Sequence, residues 1–221
     1  MRLRRKPWAK PELDACPFYT EFPSRHRGRW AQWFGNENPI FLELGCGKGG
    51  FIAPLAVCHP ENNYLAVDLK DAVLGLAKRK IELAYAEAGQ EPSNIRLMTQ
   101  DIERLFLMLE DNVDVISRIY INFCNPWHKI PQQKKRLTHP RQLKTYKRFL
   151  ADEAEIWFKT DDEPLFNDTL LYLDECGFTV KYQIRDLRAS GFSESLPTEH
   201  EDMFAAEGIP IKFLIAVNHA L

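Results

Sequence analysis

Apolar residues fall into short continuous runs separated by stretches with helical spacing, and this alternation repeats five times along the chain. IFLELG (40–45) reads as a strand buried on both faces, followed by a glycine-rich turn and a helix over FIAPLAVCH that Pro60 closes. NNYLAVDL (62–69) predicts a second strand. Asp71 is placed to cap the next helix, whose Val73, Leu76, Ala77, Ile81 and Ala84 share one face until Gly89 stops it. IRLMTQD (95–101) predicts a third strand, ERLFLMLED a helix, and VDVISRIYINF (113–123) a fourth strand. Residues 138–150 form a helical pattern with Leu143, Tyr146, Phe149 and Leu150 inward, and AEIWFKTD with PLFNDTLLYLDECG supplies a fifth strand and helix.

Repeated strand–helix pairs with nearly unbroken apolar strands predict an α/β fold, doubly wound around a mostly parallel sheet. The rhythm then breaks. FTVKYQIRD and IKFLIAV, joined through a short helix over TEHEDMFAAEG, can pair antiparallel and add an edge hairpin, giving seven strands. Residues 1–35 carry Pro7, Pro11, Pro17, Pro23 and Gly28 with little periodicity, so they predict an irregular arm, lying over the domain or partly mobile, ahead of a single domain over 36–221.

A hydrophobic fraction of 45% in 221 residues suits a soluble globular protein. No run approaches the roughly 18 apolar residues of a membrane span, and MRLRRKPWAKPEL lacks a secretory apolar core, so a cytoplasmic protein is expected. Five scattered cysteines without a C-x-x-C pair, and histidines without ligand spacing, predict neither disulfides nor a metal. Monomer and homodimer are equally compatible with the sequence. The net charge of −2 conceals strong segregation. Asn125 to Ala151 holds no Asp or Glu, yet contains Lys129, Lys134, Lys135, Arg136, Arg141, Lys144, Lys147 and Arg148. Arg2, Arg4, Arg5, Lys6, Lys10, Arg25, Arg27 and Arg29 make the arm basic as well. Such blocks are what a phosphate-tracking surface requires, and RNA is the expected partner.

The turn FLELGCGKGGF fits two ligands. Gly45, Gly47 and Gly50 satisfy G-x-G-x-x-G, the dinucleotide fingerprint, with Asp68 near the end of the second strand. Glu43 tips the balance. A carboxylate at this strand end would repel a pyrophosphate and attract an ammonium, and S-adenosylmethionine carries an ammonium and a sulfonium but no phosphate. Asp68 would then accept from the ribose hydroxyls and Asp101 meet the adenine amine, three acids converging from adjacent strand ends.

At the end of the fourth strand stands INFCNPWHKIPQQKKRLTHPRQL. Together with ELGCGKGGF, FKTD (158–161) and Thr198 to Glu201, this stretch resembles the bacterial tRNA (guanine-N7)-methyltransferases, whose sequences run D-P-W-P-K-K-R-H-x-K-R-R-L-T here. The likeness spans about residues 1–218 and keeps Pro126, Trp127, Lys129, Lys134, Arg136, Leu137 and Thr138. It implies a class I, Rossmann-like S-adenosylmethionine-dependent enzyme that methylates N7 of a guanine in the tRNA variable loop. It places Glu43, Gly45, Gly47, Asp68, Asp101 and Asn125 at the cofactor. Lys129, Asp161, Thr198, Glu199, His200 and Glu201 fall at its substrate contacts, and Asn125 at its catalytic Asp.

That substitution removes a charge. Guanine N7 has a lone pair and no proton to lose, so transfer needs alignment more than a general base. Asn-Pro-Trp also resembles the N-P-P-[YFW] motif of exocyclic-amine methyltransferases, and loss of turnover would leave a tRNA-binding homologue. Several of these residues have plainer roles open to them: Trp127 as a core aromatic, Asp161 as a helix cap, and Thr198 with Glu201 as a capping box.

Overall fold

The computed structural model describes residues 6–219, which divide into two compact units, 6–114 and 115–219. In the first unit the chain runs α1 (Ala9–Asp14), β1 (Tyr19–Thr20), a 3-10 turn (Pro23–His26), α2 (Trp30–Phe34), β2 (Ile40–Leu44), α3 (Ile52–Cys58), β3 (Asn63–Asp68), α4 (Asp71–Glu87), β4 (Ile95–Thr99) and a second 3-10 turn (Ile102–Leu107). Its strands lie in the order β1-β4-β3-β2, and the pairs β1–β4, β4–β3 and β3–β2 are parallel. Leu42, Leu44, Leu65, Val67, Leu97 and Met98 are all buried, which is why these strands read as unbroken apolar runs.

Among the described residues, 6–35 form short elements that pack against the rest of the first unit. Leu13 and Trp30 are fully buried, and the Trp30 indole N–H donates to the Met108 carbonyl at 2.8 Å. α1 lies close against α4 at Gly75, where a Cβ would come within 2.7 Å of the Ala9 Cβ. The Arg79 guanidinium donates to Glu12 at 2.9 Å and covers the Trp8 ring at 3.6 Å. β1, two residues long, adds a strand beyond the seven expected by pairing Tyr19 with Leu97. Two smaller expectations also change. Asp71 does not cap α4: Lys70 occupies that position, and the Asp71 carboxylate accepts from the Thr99 hydroxyl at 3.2 Å. The helix expected over ERLFLMLED is a 3-10 segment broken at Arg104, with Leu105, Met108 and Leu109 buried while Phe106 and Leu107 face solvent.

The second unit runs β5 (Ile116–Asn122), a 3-10 turn (Ile130–Lys135), α5 (Pro140–Tyr146), β6 (Leu150–Thr160), α6 (Glu163–Glu175), β7 (Phe178–Ile184), α7 (Leu187–Ser190), α8 (Glu199–Ala206) and β8 (Lys212–Asn218). β5 and β6 are parallel. The last two strands pair antiparallel as expected, with β8 lying between β6 and the edge strand β7. Burial follows from that order: every residue of β8 is buried, whereas β7 alternates, as an edge strand does.

Candidate active site

The glycine turn joins β2 to α3. Gly45, Gly47 and Gly49 have φ of +82°, +54° and +75°, a region costly for any residue with a Cβ. Their reasons differ. A Cβ at Gly49 would press on Ala77 of α4 at 3.1 Å, whereas nothing lies within 4 Å of a Cβ at Gly45. Gly49 therefore serves packing, and Gly45 keeps open the space that a ligand's close approach would need. The N–H groups of Gly45 and Cys46 both donate to the Val67 carbonyl at 2.9 Å, fastening the turn to the tip of β3.

The acids stand around this turn. Glu43, only 2% exposed, lies at the end of β2 opposite Ala66. Asp68 reaches across with Oδ2 to accept from the Gly47 N–H at 3.2 Å, while Oδ1 accepts from Leu69 and Lys70 N–H at 2.7 and 3.2 Å. Three backbone donors leave about one of the roughly four acceptor sites of a carboxylate for a ligand hydroxyl. Burial first, then the carboxylates of Glu43 and Asp68, push the Cys46 thiol well above its ordinary value, so both acids act on the same small volume. Asp101 is tied to the same strand ends through Gln100, whose N–H donates to the Asp68 carbonyl at 3.1 Å and whose side chain accepts from Asp101 N–H at 2.9 Å. Its carboxylate caps the following 3-10 turn, accepting from Glu103 N–H at 3.0 Å. A buried carboxylate, an aspartate with an acceptor site left and positive-φ glycines are chemically suited to an ammonium-bearing, phosphate-free nucleoside. Leu69, exposed beside Asp68, is an apolar surface that sequence reasoning passed over.

In the second unit, β5 ends in a contorted turn. Phe123 and Trp127 have φ of +53° and +43°, rare for bulky residues and held only where surroundings enforce it. The exposed Asn125 closes this turn, its Oδ1 accepting from Trp127 N–H at 3.2 Å. Trp127 is half-buried, and the Lys135 ammonium stands 5.1 Å from its ring centre. Phe123 stacks on His200 at 5.3 Å.

Asp162, not Asp161, caps α6, accepting from Leu165 N–H at 2.7 Å and lying 3.3 Å from His128. The Asp161 side chain is thereby left out of the cap, while its carbonyl accepts from Lys212 at 2.9 Å. Thr198 and Glu201 do form a capping box: Thr198 Oγ1 accepts from Glu201 N–H, and Glu201 Oε1 accepts from Thr198 N–H, both at 3.1 Å. Glu199 and His200, in the first turn of α8, are exposed.

The basic belt is smaller than it reads. Arg136 is 1% exposed; its Nε donates to the Pro126 carbonyl at 2.7 Å and its Nη1 to Asp168 at 2.6 Å. Lys129, Lys134, Lys135, Arg141, Lys144 and Arg148 remain exposed, Lys144 reaching Glu175 at 3.4 Å. In the arm, Lys10 pairs with Asp14 and Glu21, and Arg27 with Glu110; Arg2, Arg4 and Arg5 lie outside the described residues. Asp152, Glu153 and His219, all exposed, bring possible ligand atoms within 4.8 Å of one another, a grouping sequence spacing could not reveal. A cavity of about 560 Å³ lined by Leu187, Phe192, Ser195, Pro197 and Glu201 lies wholly within the second unit. No helix among the described residues is long and apolar enough to cross a membrane.

Solved structures share this architecture. One described as 16S rRNA methyltransferase KamB matches with a TM-score of 0.62 at 13% identity, over 86% of this chain and 93% of that one. An antibiotic-related methyltransferase matches at 0.59 and 16%, over 86% and 92%. Residues 37–214 match the family model described as "Putative methyltransferase". The family match together with this fold defines a class I S-adenosylmethionine-dependent methyltransferase. Two curated relatives named tRNA (guanine-N(7)-)-methyltransferase narrow the assignment. The protein from Ruminiclostridium cellulolyticum is 62% identical over 98% of this chain and 92% of its own. That from Acetivibrio thermocellus is 54% identical over 98% and 99%. The chain belongs to this methyltransferase family.

Proposed function

We propose that the protein transfers the methyl group of S-adenosylmethionine to N7 of a guanine in the variable loop of tRNA. The observation that carries the donor side is the Asp68 carboxylate locked onto Gly47 beside buried Glu43. When bound, S-adenosylmethionine supplies an electrophilic methyl on a sulfonium. Glu43 offers its ammonium a buried negative charge, Gly45 and Gly47 allow close approach, Asp68 retains an acceptor site for a ribose hydroxyl, and Asp101 faces the adenine amine.

On the acceptor side, N7 needs no base, so the residues of the second unit have to hold and orient a guanine. Asp161 and Glu201 accept from its N1–H and exocyclic amine, with Thr198, Glu199 and His200 shaping the same edge. Lys129, Lys134 and Lys135 hold phosphates. Asn125 stands where charge develops on the methylated base and stabilises it less than a carboxylate would. The exocyclic-amine reading needs the Asn125 oxygen as its acceptor, and Trp127 N–H already takes one of that oxygen's two acceptor sites.

The test is incubation with unmodified tRNA and labelled donor, followed by digestion to nucleosides. Label in N7-methylguanosine is expected. Label in N6-methyladenosine would move the assignment to the exocyclic-amine chemistry, and an unlabelled digest to a tRNA-binding protein without turnover.

A further inference from the structure

Lys159, in the FKTD stretch of β6, is 1% exposed, and no substrate group can reach it as a surface cation would be reached. Its Nζ donates to Glu201 Oε1 at 2.6 Å and to the Leu196 carbonyl at 2.8 Å. These two bonds grip the segment on both sides of Thr198, the N-cap of α8. The backbone of the same residue does a second job: the Lys159 carbonyl accepts from Phe123 N–H at 3.0 Å, at the first positive-φ residue of the Asn125 turn. The Phe123 ring in turn meets His200 at 5.3 Å and Phe204 at 5.7 Å. One residue of β6 therefore touches both the turn that carries Asn125 and the segment that carries Thr198 to Glu201.

A buried ion pair is a poor device for stability alone, because apolar side chains of similar volume fasten a segment as well without desolvating two charges. The start of α8 is already satisfied by its capping box. What the pair adds is a fixed direction for the Glu201 carboxylate, because Oε1 is committed to both Lys159 Nζ and Thr198 N–H.

We infer that Lys159 is a positioning residue for methyl transfer, setting the Thr198–Glu201 segment against the Asn125 turn so that the guanine edge meets a carboxylate of fixed orientation. This rests on the reading of that segment as the base contact, and the experiment separates the two. Steady-state kcat and KM, for unmodified tRNA transcript and for the donor separately, are measured on the parent, Lys159→Met, Glu201→Gln and the double variant.

Lys159→Met is expected to lower kcat/KM for tRNA by about tenfold or more while leaving the donor KM within about twofold. A purely structural role would weaken both substrates together. The double variant, which leaves no unpaired buried charge, should fall within about threefold of Glu201→Gln because both changes remove one function. That comparison stands even if the single lysine variant does not fold. Parent-like kinetics for Lys159→Met beside a crippled Glu201→Gln would overturn the inference alone. A further tenfold loss in the double variant would do the same. A fully active Glu201→Gln would remove the base-contact reading and the inference with it.

Discussion

Arg136 separates two accounts of the basic stretch. Read as one of eight cations in a window without acids, it is a phosphate contact; seen in the fold, it is a strut that ties the Pro126 carbonyl to α6. Replacing it with Met removes the charge-assisted bonds to Pro126 and Asp168, each worth about 1.5–3 kcal/mol, and a longer one of 3.3 Å to the Tyr172 hydroxyl. The Asp168 side chain is 36% exposed, so water recovers part of its loss, while the Pro126 carbonyl loses its buried donor. A net destabilisation of about 3 kcal/mol follows, which for a chain of 221 residues corresponds to a fall in Tm of roughly 6–12 °C. Thermal melts of Arg136→Met and of Lys134→Ala/Lys135→Ala, with tRNA binding followed by anisotropy across salt concentrations, test both halves. The double lysine variant should melt like the parent yet flatten the dependence of log affinity on log salt by about 0.7–0.9 for each phosphate it no longer neutralises. Arg136→Met should melt early with an unchanged slope. A parent-like Tm with a slope smaller by about one would show that the guanidinium reaches phosphate.

The two glycines of the turn should respond oppositely: Gly45→Ala loses donor affinity measured by calorimetry with little change in Tm beyond the roughly 1 kcal/mol of left-handed backbone strain. Gly49→Ala, pressed on Ala77 at 3.1 Å, loses a further 1–3 kcal/mol or so of stability by overpacking. His26 stacks on Trp33 at 3.9 Å, and burial first, then Arg29, Arg96 and Arg25, hold its pKa below the ordinary 6.5. The unfolded chain therefore binds that proton more readily, so this contribution is present above pH 6.5 and is lost as pH falls through the depressed value; His26→Phe should flatten the urea midpoint between about pH 7.5 and 5.5. Asn125→Asp should raise the single-turnover rate on tRNA by roughly tenfold through stabilisation of the cationic product, and an unchanged or slower rate would refute a role for charge at that turn.

Strands and caps were legible where local chemistry decides them. β2, β3 and β4 are buried on both faces, so their apolar runs have no competing explanation, and Thr198-x-x-Glu201 forms the capping box its spacing announces. What stayed hidden depends on partners far along the chain. Nothing local to Trp30 announces that its indole will bond the Met108 carbonyl 78 residues on, nor that Gly75 makes room for Ala9. Arg136 and Lys159 mislead in the same way. Sequence reasoning treats a cation as exposed by default, and these two are buried because Asp168 and Glu201, 32 and 42 residues away, are brought to them.

Two bonds from outside the Asn125 turn bear on how this chain accommodates Asn at a position where its family resemblance implies Asp. The Arg136 side chain fixes the Pro126 carbonyl immediately after Asn125, and the Lys159 backbone carbonyl fixes the Phe123 N–H immediately before Cys124, so the turn is held at both ends by groups outside it. Asn125 closes the turn through a side-chain oxygen accepting from Trp127 N–H, a bond that an Asp carboxylate makes equally well. The exchange of Asp for Asn therefore alters charge while leaving shape. Under the proposed function, guanine N7 offers its lone pair without first losing a proton, so shape at the Asn125 turn is what methyl transfer needs first, and charge there adjusts the rate.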